Sequence, residues 1–334
     1  MLKKALPFLL LPFLLCANDE PKPGDYDYDL FRKDEKAIFS NLEFLFWTVE
    51  EGALDYTLKM NKPSSSTVSY AMGDMKSADF GWNPGFRASL GYFNAPKFYE
   101  FFLQYTWLRT TGHDSEIAPD APNVYLNGTW PHIFTAPLLS ARSRISNNYN
   151  ILDLLVDRVF IPNPHLRLRI YGGFTAAFIG QNWHLKYISQ DSETNLFNRW
   201  RFRGGGFKLM TGFDWFWRKD FYVTAKTSLA SLIGRYKNRA YQESTLLPQG
   251  PVRDLIFKDI RLAHNFMFLL GPSYQKNLCN SRIEVFAGYE FSTWFNLHEI
   301  YRSTAGASDV AKETWLNRGV FSLHGLTTRL TYDF

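Results

Sequence analysis

Three observations on this sequence predict an all-β fold: a transmembrane antiparallel β-barrel of about ten strands, with long connections on one side and short turns on the other. The first is the alternation of the last stretch, 320–334, where Leu326, Thr328, Leu330, Tyr332 and Phe334 share one parity and Gly325, Thr327, Arg329, Thr331 and Asp333 the other. Successive side chains of a strand point to opposite faces, so one face here is apolar and aromatic and the other polar. The second is composition. Aromatic residues make up 17% of the chain, with 30 Phe, 18 Tyr and 10 Trp. Yet beyond Ala17 no run approaches the roughly 20 apolar residues that a membrane-spanning helix needs. Strands that face lipid on one side only keep their apolar half out of such runs. The third is the regular alternation of long and short connections, set out below.

The chain begins with an export signal. Residues 1–17, MLKKALPFLLLPFLLCA, place Lys3 and Lys4 before a short apolar run that ends at a small residue, the layout of a secretory signal peptide. Leu15 is larger than a lipid-attachment motif at Cys16 wants, so simple cleavage near Ala17 is expected. Cys279 would then be the one cysteine left, without a disulfide partner in its own chain. Residues 18–36 hold Pro21, Pro23, Gly24 and seven acidic side chains, too little apolar surface to fold alone. They read as a flexible periplasmic lead-in, with an acidic interaction tail as the other option, and the barrel is expected over 37–334. The formal charge of +5 includes Lys3 and Lys4, which leaves +3 and argues against nucleic acid as a partner.

From Ala37 on, alternating segments recur. Leu42, Phe44 and Phe46 oppose Asn41 and Glu43, and the stripe is expected to continue beyond Glu50, Glu51 and Gly52 as a strand interrupted by a bulge. Phe86, Ala88, Leu90 and Tyr92 oppose Arg87 and Ser89; Tyr99, Phe101, Leu103, Tyr105 and Trp107 oppose Glu100, Gln104 and Thr106. Leu152, Leu154 and Val156 oppose Asp153 and Asp157, and Leu166, Leu168, Ile170 and Phe174 are set against Arg167 and Arg169. Phe207, Leu209, Phe213, Trp215 and Trp217 oppose Lys208 and Asp214, followed by Phe221, Val223, Ala225 and Leu229 against Thr224, Lys226 and Ser228. Leu262, Phe268 and Leu270 oppose Arg261 and Asn265, and Ile283, Val285, Ala287, Tyr289 and Phe291 oppose Arg282, Glu284 and Glu290. No fixed repeat appears, which disfavours propellers and solenoids.

Between these stripes the connections run long at 61–80, short at 94–96, long at 110–141, short at 161–164, long at 189–200, short at 218–220, long at 237–252, moderate at 271–281 and long at 297–317. A barrel that starts and ends on its periplasmic side has this alternation, and a soluble sandwich has no reason to show it. Splitting two segments at their glycines would give about twelve strands, the alternative count.

Leu42-Glu43-Phe44-Leu45-Phe46-Trp47 with Glu50-Glu51-Gly52, then Gly212-Phe213-Asp214-Trp215-Phe216-Trp217, and the Tyr332-x-Phe334 end together resemble the major outer membrane proteins of the chlamydial and Legionella type. The resemblance spans the chain from about Ala37. It implies an outer-membrane barrel of a pore-forming family, and Leu326, Leu330, Tyr332 and Phe334 would act as the assembly signal of its closing strand. Disulfide-crosslinked members of that group need several cysteines, which this chain lacks.

With the polar face turned inward, the lumen would hold Arg87, Arg167, Arg169, Lys208, Lys226, Arg261, Arg282 and Arg329 against Glu43, Glu100, Asp153, Asp157, Asp214, Glu284 and Glu290. A barrel of about eight strands is filled by side chains and an open channel is typical at about sixteen, so about ten strands predict a narrow lumen laced by ion pairs. The expected function is porin-like passage of small solutes or ions, with slight anion preference. Two alternatives stand beside it: a plugged structural or adhesive barrel acting through external loops, and an outer-membrane hydrolase built on His113-Asp114. No catalytic residues are assigned: GxSxG, phosphate-loop and CxxC motifs are absent, and the histidines lack metal-ligand spacing. No cofactor or metal is therefore expected. The expected partners are outer-membrane lipid and lipopolysaccharide, the barrel-assembly machinery, small solutes or ions, host surfaces through the loops, and further copies of the chain. The RFRGGG stretch, Arg201 to Gly206, is expected to form a strand edge above the membrane.

Overall fold

A computed structural model describes residues 36–61, 73–94, 97–121, 123–130, 137–163, 165–218, 220–278, 281–303 and 314–334. The signal peptide, the lead-in up to residue 35 and Cys279 lie outside the described residues. Thirteen strands follow in order: β1 (Lys36–Glu51), β2 (Asp55–Asn61), β3 (Gly73–Ser77), β4 (Asn83–Asn94), β5 (Tyr99–Ile117), β6 (Val124–Gly128), β7 (Leu138–Asn163), β8 (Leu166–Ser189), β9 (Glu193–Phe216), β10 (Phe221–Ser244), β11 (Arg253–Leu278), β12 (Ser281–Ser303) and β13 (Thr314–Asp333). Ten of them close a ring, β1-β4-β5-β7-β8-β9-β10-β11-β12-β13 and back to β1, every pair antiparallel. The terminal strand makes the seam, with Leu42 opposite Leu330 and Phe39 opposite Asp333. Phe334 N–H donates to Ile38 O at 3.0 Å, and Ile38 N–H donates back to Phe334 O at 3.2 Å.

The ring has the ten strands expected, and three further strands outside it bring the total to thirteen. β2, β3 and β6 form a small sheet joined to the ring through β6 and β7. The residues after Gly52 are therefore not a bulged continuation of β1. The chain turns at Gly52 and Ala53, the latter at φ 64°, and β2 leaves to pair with β3 and β6. Leu54 and Tyr56 enter the core rather than facing lipid.

A second correction concerns the long connections. Much of 110–141, 189–200, 237–252, 271–281 and 297–317 is strand: β5 runs to Ile117, β8 and β9 are separated by three residues only, and β12 and β13 reach Ser303 and Thr314. At about 3.3 Å per residue and a tilt of about 40°, the 26 residues of β7 rise roughly 65 Å. A membrane occupies only about 25 Å of that. The wall therefore stands well clear of the bilayer, where water replaces lipid on the outside.

That change of solvent inverts the side-chain pattern along a single strand. On β7, Leu152, Leu154 and Val156 face out with Asp153 and Asp157 inside; further up, Arg142, Arg144 and Asn148 face out with Ala141, Ile145 and Tyr149 inside. β9 repeats it, with Phe207, Leu209 and Phe213 outside and Lys208 and Asp214 inside, then Arg199, Arg201 and Arg203 outside and Leu196, Trp200 and Phe202 inside. The upper interior is one apolar core that includes Trp47, Trp183, Trp200, Trp294, Tyr236, Leu232 and Leu323. Each large apolar side chain fully buried there contributes about 1.5–3 kcal/mol. The lower interior, level with the lipid-facing band, holds the charged side chains beside a second, smaller apolar cluster of Phe39, Phe93, Phe102, Leu155, Val159, Tyr171 and Met210.

Candidate functional site

The inward positions of the membrane-level strands converge on one cavity of about 110 Å³. Of the expected lumen residues, Glu43, Arg87, Glu100, Asp153, Arg167, Arg169, Lys208, Asp214, Lys226, Arg282, Glu284, Glu290 and Arg329 line it. Asp157 is buried beside it, its carboxylate accepting the Glu100 N–H at 3.0 Å. Arg261 sits higher, in the apolar half, bonded to Glu299 at 2.7 Å with its guanidinium 3.6 Å from the Tyr236 ring centroid.

Ion pairs between strands cross this space. Arg87 on β4 bridges two carboxylates, Glu43 on β1 at 2.6 Å and Glu290 on β12 at 2.7 Å, and its Nε donates to Thr106 at 3.0 Å. Thr327 on β13 donates to Glu290 at 2.9 Å while accepting from the Trp47 indole at 3.1 Å. Arg329 donates to Glu284 at 2.7 Å and lies 3.9 Å from Glu43. On the opposite wall Arg167 donates to Asp214 at 2.9 Å, a carboxylate that also accepts from Thr224 at 2.7 Å. Arg169 reaches across to Glu100 on β5 at 3.0 Å, and Lys208 donates to Asp153 at 2.9 Å. Charged hydrogen bonds of this kind are shorter and stronger than neutral ones, and they fix the rotamers of both partners. Lys226 differs: it lines the cavity but makes no ion pair among the described residues.

Several interior residues went unassigned at the sequence level. Asp333 lines the cavity and accepts from Arg282 at 2.5 Å; its shared parity with Arg329 was the available signal. With Asp333 included, the cavity carries seven basic and seven acidic side chains, formally neutral, which removes the basis for an anion preference. Glu299 lay in a stretch expected to be a loop. So did His298, which faces Glu51 with both side chains fully enclosed. Thr106, Thr224 and Thr327 carry no charge to draw attention, yet they complete the carboxylate and guanidinium shells.

The assembly-signal residues Leu326, Leu330 and Tyr332 on β13 and Phe334 just past its end are all exposed on the outer side. His113 is exposed on upper β5 opposite Arg144, and Asp114 lies opposite Ser143. The shallow depression there is otherwise lined by Arg142, His184 and Lys186, with no second carboxylate pair such as a hydrolytic water would need. Among the described residues no group of three or more His, Cys, Asp or Glu could hold a metal ion.

Comparison with known proteins adds a family. The model of the Legionella pneumophila major outer membrane protein precursor matches residues 35–334. No curated protein matches the chain. Among solved structures, the outer membrane protease OmpT from Escherichia coli is similar with a TM-score of 0.44 at 8% identity, over 89% of this chain and 96% of that one. A Pseudomonas aeruginosa FadL homologue gives 0.25 at 10% identity over 90% of each chain. The P. putida toluene transporter TodX gives 0.23 at 8% identity, also over 90% of each. At these scores the neighbours say nothing of what this chain binds or does.

Proposed function

The chain belongs to the Legionella pneumophila major outer membrane protein family, and from that premise we propose that this barrel of the bacterial outer membrane is a porin-like conduit for small ions, shut in the conformation described. One observation carries the proposal: a cavity at membrane level is walled by fourteen charged side chains, seven of each sign. A barrel built only for stability gains little from such a lining, because burying ion pairs costs about as much in lost hydration as the pairing returns. Charges at membrane depth mark ion and solute paths more often than scaffolds. Access from above requires the apolar core around Trp47, Trp200 and Trp294 to move, so passage is gated and confined to small species. No catalytic step is part of the proposal.

That same apolar core favours a second function, a closed barrel that works through its tall outer surface. Single-channel recording of the folded chain in planar bilayers separates the two. Brief, small openings with little ion selectivity are the expected result. Silence from a protein shown to be folded and inserted overturns the conduit and leaves the closed barrel.

A further inference from the structure

Outward-facing cations cluster where the lipid-facing band ends. On β9 and β10, Arg203 lies directly opposite Arg235 and Arg201 directly opposite Lys237; Lys237 is in turn opposite Lys258 on β11. Directly opposed side chains sit about 5 Å apart at Cβ, and like charges so placed are destabilising. These five cations span three adjacent strands, about 10 Å of wall. None of them makes an ion pair among the described residues. The acids nearby are already engaged, Asp254 with Arg239 at 2.8 Å and Asp259 with Arg261 at 3.5 Å. The RFRGGG stretch is thus no strand edge; Arg201 and Arg203 stand in the middle of β9.

Directly beneath Arg203 and Arg235 the faces turn apolar, with Ile233 64% and Phe207 67% exposed, while Ile260, 68% exposed, stands opposite Arg235 at the cations' own level; these are surfaces that acyl chains cover. Between the two levels the wall is notched. A Cβ at Gly204 would crowd Ile233 O at 2.9 Å and one at Gly206 would collide with Ser231 O, so close strand packing accounts for both glycines. At Gly205, which faces outward, a Cβ would meet only Thr175 O at 3.7 Å, an ordinary contact. Packing does not require glycine there, and its absence of a side chain leaves room just below the cations.

We propose that this face is a binding site for a multiply phosphorylated glycolipid of the outer leaflet, a lipopolysaccharide. Its phosphates pair with Arg201, Arg203, Arg235, Lys237 and Lys258, and its acyl chains lie over Phe207, Ile233 and Ile260. A phosphate monoester carries −1.5 to −2 charges and three acceptor oxygens, so two of them match five uncompensated cations where a single carboxylate would not. The site is independent of whether the lumen conducts.

The test is binding of diphosphorylated and fully dephosphorylated lipid A to the full folded chain in detergent, followed by native mass spectrometry. The diphosphorylated form should be retained and the dephosphorylated form lost. Arg201→Gln with Lys237→Gln should weaken retention of the diphosphorylated form by about thirtyfold and leave the dephosphorylated form unchanged. Arg142→Gln, higher on the same outer surface, should change neither. Equal binding of the two lipids, or an unaffected double variant, overturns the proposal. So does full competition by inorganic pyrophosphate, which would mark a site for a soluble anion. If the double variant fails to fold, the preference of the unaltered chain between the two lipids decides alone.

Discussion

Replacing Arg87 with Met tests whether the ion-pair lattice is the keystone of the lower interior. Arg87 ties Glu43 and Glu290 together, and both carboxylates are buried. Methionine keeps most of the side-chain volume but leaves two buried anions facing each other without their cation. Removing one partner of a buried pair costs about 3–5 kcal/mol, because the desolvated charge left behind is uncompensated. The nearest relief, Arg329 at 3.9 Å from Glu43, is already committed to Glu284 at 2.7 Å, so the upper part of that range is expected. Urea unfolding in mixed micelles, followed by tryptophan fluorescence, reads the loss directly. Adding Glu43→Gln and Glu290→Gln to Arg87→Met removes the stranded charges and should restore most of the stability. A loss below about 1 kcal/mol for Arg87→Met alone, or no recovery in the triple variant, would refute the lattice as a coupled unit.

Other outcomes follow from the same geometry. Lys226→Glu changes the cavity from seven basic and seven acidic side chains to six and eight, so the reversal potential in a salt gradient should move toward cation selectivity. Trp200→Ala removes a fully buried ring from the apolar seal; it should cost about 3–5 kcal/mol in unfolding and raise single-channel conductance. Deleting Phe334 removes both backbone bonds to Ile38 as well as an outward ring, and the amount of heat-modifiable barrel recovered from the outer membrane should fall severalfold. Above the membrane, the hydrogen bond from Arg239 holds the Asp254 carboxyl below its usual range. What that exposed pair contributes is therefore present above the ordinary carboxyl pKa and fades as pH falls through the folded value. An NMR titration should show the Asp254 pKa rising in Arg239→Gln.

How much of this was legible in the sequence depended on which solvent each residue faces. At membrane level, alternation of Leu152, Leu154 and Val156 with Asp153 and Asp157 gives strand, face and inward charge at once, because lipid tolerates no polar group outside. Higher up the contrast weakens, with Thr110, Thr111, Gly112 and His113 in succession, and 110–141 read as a loop although β5 runs to Ile117 and β7 starts at Leu138. The pairing of inward charges was not legible. Arg87 and Glu290 are 203 positions apart, and only ring closure with its register brings them together. The basic row was visible as residues but not as a cluster, since Arg201, Lys237 and Lys258 become neighbours through pairings that sequence order does not supply.

The inversion of polarity along each strand also limits how the conduit could work. β7 and β8 stay in unbroken register from Ser140 opposite Ile188 to Phe160 opposite Leu168, so the wall passes from lipid to water without a slip. A one-residue slip would turn every apolar side chain to the wrong face at both levels, and such a move is closed to a barrel with two solvents. Opening of the proposed conduit must therefore come from side chains and from the upper end, where among the described residues the strand pairing of β2, β3 and β6 with the ring runs through β6. The Tyr187 hydroxyl donates to Tyr56 O at 2.6 Å, pinning β2 to the inner face of β8. Tyr187→Phe deletes that tie while keeping the ring in the core. If the upper sheet is the gate, conductance should rise with membrane-level stability almost unchanged; if the gate is the ion-pair lattice below, the same substitution should leave conductance where it was.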